Sequence, residues 1–301
     1  MNRILDLDSK SAVTIFTLVT IPHGNPRQEI GLTDLENYIS QAIWKTFDQC
    51  RNEAAARLEV NEVDLLLTDA RVMEIRIDGH PVINPHGFTG SKLDVILAIT
   101  MVKRDKFIDE ADIILEGGSV RAHLLAKGEN LSDAIYIEVK DNATTFFRIT
   151  PQRTAYLSEF DWGEKELTKL LKEELGLAAD QTAQAIYLRY IQGGLSEKAA
   201  KKVNKIFHDA FGTFINGGVM TLKNFLKPRS DKLPPIYLKS FFPLPEDVYK
   251  KRYAFDSKKI RFLNTKNDLT LQDFVSDHIH SVYEELNGLA KRRIKWLMPT
   301  G

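Results

Sequence analysis

The 301-residue sequence lacks an excess of charge of either sign, because Lys and Arg together number 41 and Asp and Glu together also number 41. Without a net positive field the chain has no long-range attraction for nucleic acid, so we expect no nucleic-acid partner. Cysteine is nearly absent, and the single Cys50 excludes an internal disulfide. Cys50 falls on the apolar side of a predicted helix, where we expect it in the core.

Long hydrophobic runs are also missing. The longest, such as Val95–Val102, have the length of a strand and are far below the roughly 20 residues that span a bilayer. The N-terminal stretch MNRILDLDSK carries acidic residues where a secretory signal needs an apolar core. These absences predict a cytoplasmic protein without a transmembrane anchor.

The motifs of several enzyme classes do not occur. The sequence contains no Walker A motif, no Gly-x-Gly-x-x-Gly and no His-Glu-x-x-His. His278 and His280 would point away from each other on a helix, and His23 and His86 lie in two similar turns. No nucleophile, base and orienting residue can be grouped, so we predict no catalytic residues and no metal site.

Strand and helix patterns alternate along the first half of the chain. A β-branched strand covers Ser11–Ile21, and a helix begins with a capping box at Thr33 and Glu36 and runs to about Leu58. Two strands follow before a turn at Asp78-Gly79, and a further strand begins near Lys92. This half is predicted to form an α+β unit.

The second half adds a hairpin and several helices. The stretch AIYIEVKDNATTFFRIT gives two strands joined at Lys140-Asp141-Asn142, and a helix follows the turn at Trp162-Gly163. Further helices are predicted over 180–192 and from Ser196 to about Ile215. The pairs Gly117-Gly118 and Gly217-Gly218 are interpreted as helix or strand stops rather than as phosphate-binding turns.

This order of elements resembles the FtsA and PilM branch of the actin-like ATPase superfamily. The resemblance covers about residues 28 to 270 and is carried by the hairpin, the residues 180–186 (DQTAQAI) that enter a helix, and a helix-start motif of Phe160, Trp162, Gly163, Leu167 and Thr168. It implies an α/β fold in which residues 1–27 are an N-terminal strand region and 28–112 a small SHS2-like α+β inserted subdomain. Residues 113–301 would be an actin-like, RNase H-like second domain.

The family's phosphate-binding strand has the form Asp-x-Gly-Gly-x-x-Thr. Matching it to the hairpin places Glu138 at the aspartate, Lys140 and Asp141 at the glycines and Thr144 at the threonine, with Gly163 in the following turn. A carboxylate about 4 Å from a phosphate charge costs on the order of 4 kcal/mol at an effective dielectric constant near 20. The resemblance therefore implies a degenerate nucleotide site and no cofactor, with Glu138 and Lys140 leaving some scope for ATP and Mg²⁺.

Two other family sites are equally altered. The first phosphate loop, Asp-x-Gly-Thr, matches Asp6, Asp8 and Ser9 only loosely, and an equally good interpretation is that this loop is missing. The segment expected to contact adenosine, PPIYLKSFFPLP, contains no glycine.

The C-terminal segment Leu289–Gly301 mixes cations and apolar residues. Lys291, Arg292, Arg293 and Lys295 stand beside Trp296, Leu297 and Met298, a composition that suits an interfacial helix on anionic lipid. FtsA-like proteins carry a C-terminal amphipathic anchor, so the resemblance implies peripheral membrane contact through Lys291, Arg292, Lys295, Trp296 and Leu297. The alternative is a last helix that packs on the domain with its cations at the negative end of the helix dipole.

Three functions follow from these observations. The first is a non-catalytic, actin-like scaffold, a pseudo-ATPase with protein partners or self-assembly, in a membrane-associated bacterial process such as cell division or type IV pilus biogenesis. The second is an ATP-binding member of the superfamily with a divergent phosphate site. The third is an unrelated two-domain α/β protein-binding module.

Overall fold

The computed structural model describes residues 3–106, 111–150, 153–225, 234–250, 253–255, 258–263, 271 and 274. The chain forms two compact units. Unit 1 consists of Met1–Leu131, Thr150–Ala155 and Leu269–Gly301, and unit 2 consists of Ser132–Ile149 and Tyr156–Asp268. Helices and sheets are mixed in both units, which confirms the predicted α/β class.

Unit 1 is built on a four-stranded antiparallel sheet and one long helix. Its elements are β1 (Ile4–Leu7), β2 (Ala12–Pro22), α1 (Leu32–Leu58), β3 (Leu65–Ile77), β4 (His80–Val82), β5 (Lys92–Lys103), β6 (Ile113–Glu116) and α2 (Gly117–Gly128). The sheet order is β2-β5-β3-β4, and β1 and β6 form a separate parallel pair. The apolar side of α1 packs on one face of the four-stranded sheet, and this contact forms the main core of the unit.

Two local predictions in this unit are corrected. The α1 cap is not Thr33 with Glu36: the helix begins at Leu32, and the Asp34 carboxylate accepts a hydrogen bond from the Gly31 N–H at 3.0 Å. The two strands predicted before Asp78 are the single strand β3, whose register with β5 shifts twice, between Leu67 and Asp69 and between Val72 and Glu74. These bulges interrupt the alternation that would have marked one strand.

The division of the chain differs from the boundary predicted at residue 113. β6 pairs in parallel with β1, with Ile4 opposite Ile113 and Leu7 opposite Glu116, so β6 and the helix that follows it lie in unit 1. Local sequence patterns do not predict this pairing, because it joins strands more than one hundred residues apart in sequence.

Unit 2 is a six-stranded sheet with helices. Its elements are β7 (Ala134–Val139), β8 (Thr144–Ile149), β9 (Thr154–Phe160, of which Thr154 and Ala155 fall in unit 1), α3 (Glu164–Leu175), α4 (Asp180–Ile191), α5 (Glu197–Phe225), β10 (Ile236–Ser240), α6 (Glu246–Lys250), β11 (Ala254–Phe255) and β12 (Lys258–Phe262). The strand order is β11-β12-β10-β7-β8-β9, with β7 antiparallel to β8 and parallel to β10. This is the order of an RNase H-like sheet.

Helix α5 passes through Gly217-Gly218 and ends at Phe225, so the predicted stop near Ile215 is wrong. A methyl group added at Gly217 would lie 3.1 Å from the ring of Phe160. This glycine therefore serves a close contact between the helix and β9 rather than the end of the helix. The predicted stop at Gly117-Gly118 does follow the end of a strand, because β6 ends at Glu116, and the same two glycines begin α2.

Cys50 is buried in unit 1, as expected. Burial and, to a lesser extent, the nearby Glu53 carboxylate raise the pKa of its thiol to about 12. The described part of the chain contains no helix long and apolar enough to cross a membrane. The C-terminal segment Leu289–Gly301 and the pair His278 and His280 lie outside the described residues.

Candidate functional site

The hairpin of β7 and β8 is paired along its full length, from Ala134 opposite Ile149 to Val139 opposite Thr144. The N–H of Lys140 closes the turn by donating to the carbonyl oxygen of Ala143 at 3.1 Å. Four of the five predicted residues lie at this end of the hairpin: Glu138, Lys140, Asp141 and Thr144. The fifth, Gly163, immediately precedes α3 and lies against the turn.

Main-chain atoms of the turn occupy the N-terminus of α3. The N–H of Glu164 donates to the carbonyl oxygen of Lys140 at 3.2 Å, and the N–H of Lys165 donates to that of Asp141 at 2.8 Å. Amides at the start of a helix otherwise have no partner within the helix and attract anions. Here two of them are already satisfied by the hairpin. The Thr144 hydroxyl adds a third link by donating to the carbonyl oxygen of Trp162 at 2.8 Å.

Steric contacts, rather than the backbone conformation, require a glycine at position 163. Its φ of −171° is extended backbone that any residue adopts. A Cβ at this position, however, would lie 2.1 Å from the carbonyl oxygen of Lys140 and 2.6 Å from that of Asp141. The close contact between the hairpin turn and α3 therefore depends on this glycine.

Glu138 lies on the face of β7 opposite the residues that pack on the helices, and it is buried. One carboxylate oxygen accepts a hydrogen bond from the Tyr136 hydroxyl at 2.8 Å, and the other lies 3.6 Å from the Lys140 ammonium. Tyr136, Glu138 and Lys140 are two residues apart, so they share one side of the strand. The carboxylate matched to the aspartate of the family's phosphate-binding strand is thus engaged by the chain's own groups.

The segment predicted at the adenosine position forms β10 and the loop after it. Phe241, just beyond β10, is 43% exposed, and the ammonium groups of Lys140 and Lys239 lie 5.5 Å and 5.4 Å from its ring centroid. Both distances are within the range of a cation–π contact. A bulky aromatic side chain in contact with two cations therefore follows the end of β10 in this segment.

A cleft of about 580 Å³ beside the turn is mixed in charge, with carboxylates in the majority. Its lining includes the lysines Lys165, Lys169 and Lys172 and the acids Asp141, Asp161, Glu164, Glu166, Glu173 and Asp180. One of these lysines is already paired, since the Lys172 ammonium lies 2.9 Å from the Asp180 carboxylate. The surroundings of Asp141 do not favour a polyphosphate.

Unit 1 contains the residues matched to the first phosphate loop. Asp6 lies in β1, and Asp8 and Ser9 lie in the turn that connects β1 to β2. The carboxylate of Asp6 accepts a hydrogen bond from the Gly117 N–H at 3.0 Å and pairs with the Arg121 guanidinium at 2.9 Å. This carboxylate is therefore also held within its own unit.

Glu116 was missed by the sequence reasoning. It is buried, and its carboxylate caps α2 by accepting hydrogen bonds from the N–H groups of Gly118 and Ser119, each at 3.1 Å. The Ser9 hydroxyl donates to the same carboxylate at 3.2 Å. An acidic residue between a short apolar run and Gly-Gly-Ser was the available signal for this cap.

His23 and His86 do not form a pair. The buried His23 ring lies 2.5 Å from the Tyr38 hydroxyl through Nδ1 and 3.1 Å from the Gln28 carbonyl oxygen through Nε2. His86 lies in the exposed loop after β4. The described residues contain no group of three or more His, Cys, Asp or Glu side chains that could hold a metal ion.

No family model matches the chain, and no curated protein sequence does. Solved structures similar to it include a PilM–PilN type IV pilus biogenesis complex, with 11% identity, coverage of 97% of this chain and 79% of that chain, and a TM-score of 0.45. The alignment with an archaeal actin homologue has 12% identity, covers 94% of this chain and 92% of that chain, and has a TM-score of 0.39. The alignment with the ethanolamine utilization protein EutJ from Carboxydothermus hydrogenoformans has 14% identity, covers 50% of this chain and 48% of that chain, and has a TM-score of 0.35.

This chain spans about half the length of the EutJ protein. Each of these TM-scores is below 0.5, and unit 2 is RNase H-like by its own strand order.

Proposed function

We propose that this protein is a non-catalytic, actin-like scaffold of the FtsA and PilM branch, a pseudo-ATPase that acts in a membrane-associated bacterial assembly such as cell division or type IV pilus biogenesis. The observation that carries the proposal is the filling of the α3 N-terminus by the carbonyl oxygens of Lys140 and Asp141. Its partners would be proteins, including further copies of itself.

The contacts at the hairpin oppose a nucleotide for a simple electrostatic reason. A phosphate that entered at the start of α3 would displace two main-chain hydrogen bonds and meet carbonyl oxygens instead of N–H groups. It would also compete with the Glu138 carboxylate for Lys140. Each lost hydrogen bond costs about 1 kcal/mol net, and the exposed turn carbonyls add repulsion.

The first test is thermal unfolding of the full chain with and without Mg²⁺-ATP. A nucleotide at about 100 times its dissociation constant adds about 2.7 kcal/mol to the free energy of unfolding, which raises the melting temperature by a few degrees. We expect no measurable change at millimolar nucleotide. A rise of several degrees that disappears in Glu138→Ala would instead support the ATP-binding alternative.

Attachment to a membrane surface is part of the proposal and rests on the composition of the C-terminal segment. Each cation near an anionic surface contributes about 1 kcal/mol, so Lys291, Arg292 and Lys295, together with Trp296 and Leu297, would give weak and reversible binding. Assembly of several copies would strengthen this attachment through avidity.

Removal of residues 289–301 is expected to abolish cosedimentation with anionic vesicles, and raised salt is expected to weaken the binding of the full chain through screening. The control is a vesicle of neutral lipid, which the full chain should leave in the supernatant. Failure of the full chain to bind anionic vesicles, or unfolding of the truncated chain, would show that the segment is structural.

A further inference from the structure

β2 is the outermost strand on one side of the sheet of unit 1. Among the strands that the structure describes, its partner in this sheet is β5, which pairs with it from Ala12 opposite Val102 to Pro22 opposite Lys92. An outermost strand presents N–H and C=O groups that can pair with a strand from another chain.

The sequence of β2 does nothing to prevent such pairing. Its eleven residues, AVTIFTLVTIP, include no charged side chain, and its proline is at the last position. Most proteins protect an outer strand by making it short or by placing a charge or a proline within it.

The other outer strands of the described sheets carry these protections. β4 has three residues with Pro81 in the middle, and β11 has two. β9 contains Glu159, and the two-stranded sheet contains Asp6 and Glu116. Within the described strands, β2 is thus the one long outer strand without a charge.

The second half of β2 is accessible. Phe16 is buried, stacked on His123 with ring centroids 4.2 Å apart, but Leu18 on the same face is 40% exposed and Thr20 is exposed. On the opposite face, Val19 and Ile21 belong to the main core of unit 1. A strand added here would cover Leu18 and extend that core.

We propose that β2 pairs with β2 of a second copy of this chain, antiparallel about a two-fold axis beside Leu18, so that two four-stranded sheets form one eight-stranded sheet. This register places Leu18 opposite its counterpart, Thr17 opposite Val19 and Ile15 opposite Ile21, so inner-face residues meet inner-face residues. The strand is uncharged and the chain has a formal net charge of zero, so no like-charge repulsion opposes self-association. The pairing assigns a surface to the self-association that is part of the proposed function, and it does not depend on the loss of nucleotide binding.

Sedimentation equilibrium of the full chain tests the proposal. The wild type is expected to be a dimer, and Leu18→Lys, which places two ammonium groups beside the axis, is expected to raise the dissociation constant at least about tenfold. Ile83→Lys is the matched control. Ile83 is also an aliphatic residue of unit 1 and its exposed fraction is 66%, but it lies just after β4 rather than in β2. This substitution should leave the dimer intact.

Cysteine cross-linking supplies a second measurement that does not rely on a disruptive variant. Because Cys50 is buried, Leu18→Cys provides the accessible thiol, and mild oxidation should give a covalent dimer. Val63→Cys, at a residue 75% exposed outside β2, should give far less. The proposal is overturned if the wild type is monomeric throughout, if folded Leu18→Lys keeps the dimer mass, or if both cysteine variants cross-link equally. A monomer that instead binds a strand of a different protein would also overturn it.

Discussion

Replacing Gly163 with alanine is expected to lower the free energy of unfolding of unit 2 by about 3 kcal/mol, the upper part of the range for overpacking. The added Cβ would lie 2.1 Å from a main-chain carbonyl oxygen, which cannot move away as a flexible side chain could. Either the hairpin turn or the start of α3 must shift, and both hydrogen bonds from α3 to the turn are then lost.

Chemical denaturation followed by circular dichroism measures this loss. Gly212→Ala is the matched control, because Gly212 lies inside α5 and an added Cβ would meet no atom within 4 Å other than its chain neighbours and the adjacent backbone of its own helix. That substitution is expected to stabilise the helix by about 0.5–1 kcal/mol. Equal effects of the two substitutions would show that contact with the hairpin does not determine the cost at Gly163.

Arg71→Ala is expected to destabilise unit 1 by about 3–5 kcal/mol, the cost of leaving one member of a buried ion pair alone. Arg71 pairs with Asp69 on β3, and only 7% and 4% of the two side chains are exposed. The guanidinium also lies over the Phe274 ring, 5.8 Å from its centroid. Its removal leaves the Asp69 carboxylate buried without this counter-ion.

The same strand supplies the control. Arg76 and Glu74 have the same spacing on β3, but their side chains are 37% and 36% exposed. Arg76→Ala is therefore expected to cost at most about 1 kcal/mol. The double variant Asp69→Leu with Arg71→Met should recover most of the loss, because apolar residues of similar volume can replace a buried pair. A loss at Arg71 no larger than at Arg76 would contradict this account.

Local patterns predicted the regular elements well. The strand expected over Ser11–Ile21 is β2, and the helix expected from Thr33 to Leu58 is α1, because both have long uninterrupted apolar periodicity. Predictions based on glycine were less accurate. Gly217 lies within a helix, where the absence of a side chain allows a close contact with Phe160, and the sequence around it gives no sign of that distant ring.

The candidate site could be predicted as a set of residues but not as a set of contacts. The resemblance brought Glu138, Lys140, Asp141, Thr144 and Gly163 together, and the structure places them at one end of the hairpin. The filling of the α3 N-terminus involves main-chain carbonyl oxygens, which no residue identity reveals. Glu116 was missed because its partners, Ser9 among them, are brought to it by the pairing of β1 with β6.

The division of the chain also bears on the order in which the protein can fold. Unit 1 takes its first part from Met1–Leu131, yet its core includes the fully buried Phe274 beside Phe16 and Met73. During synthesis this core cannot be completed until residue 274 has been made, by which time the whole of unit 2 has already been translated. A fragment that ends at Leu131 would leave Phe16 and Met73 without this neighbour, so unit 1 has to be studied within the whole chain.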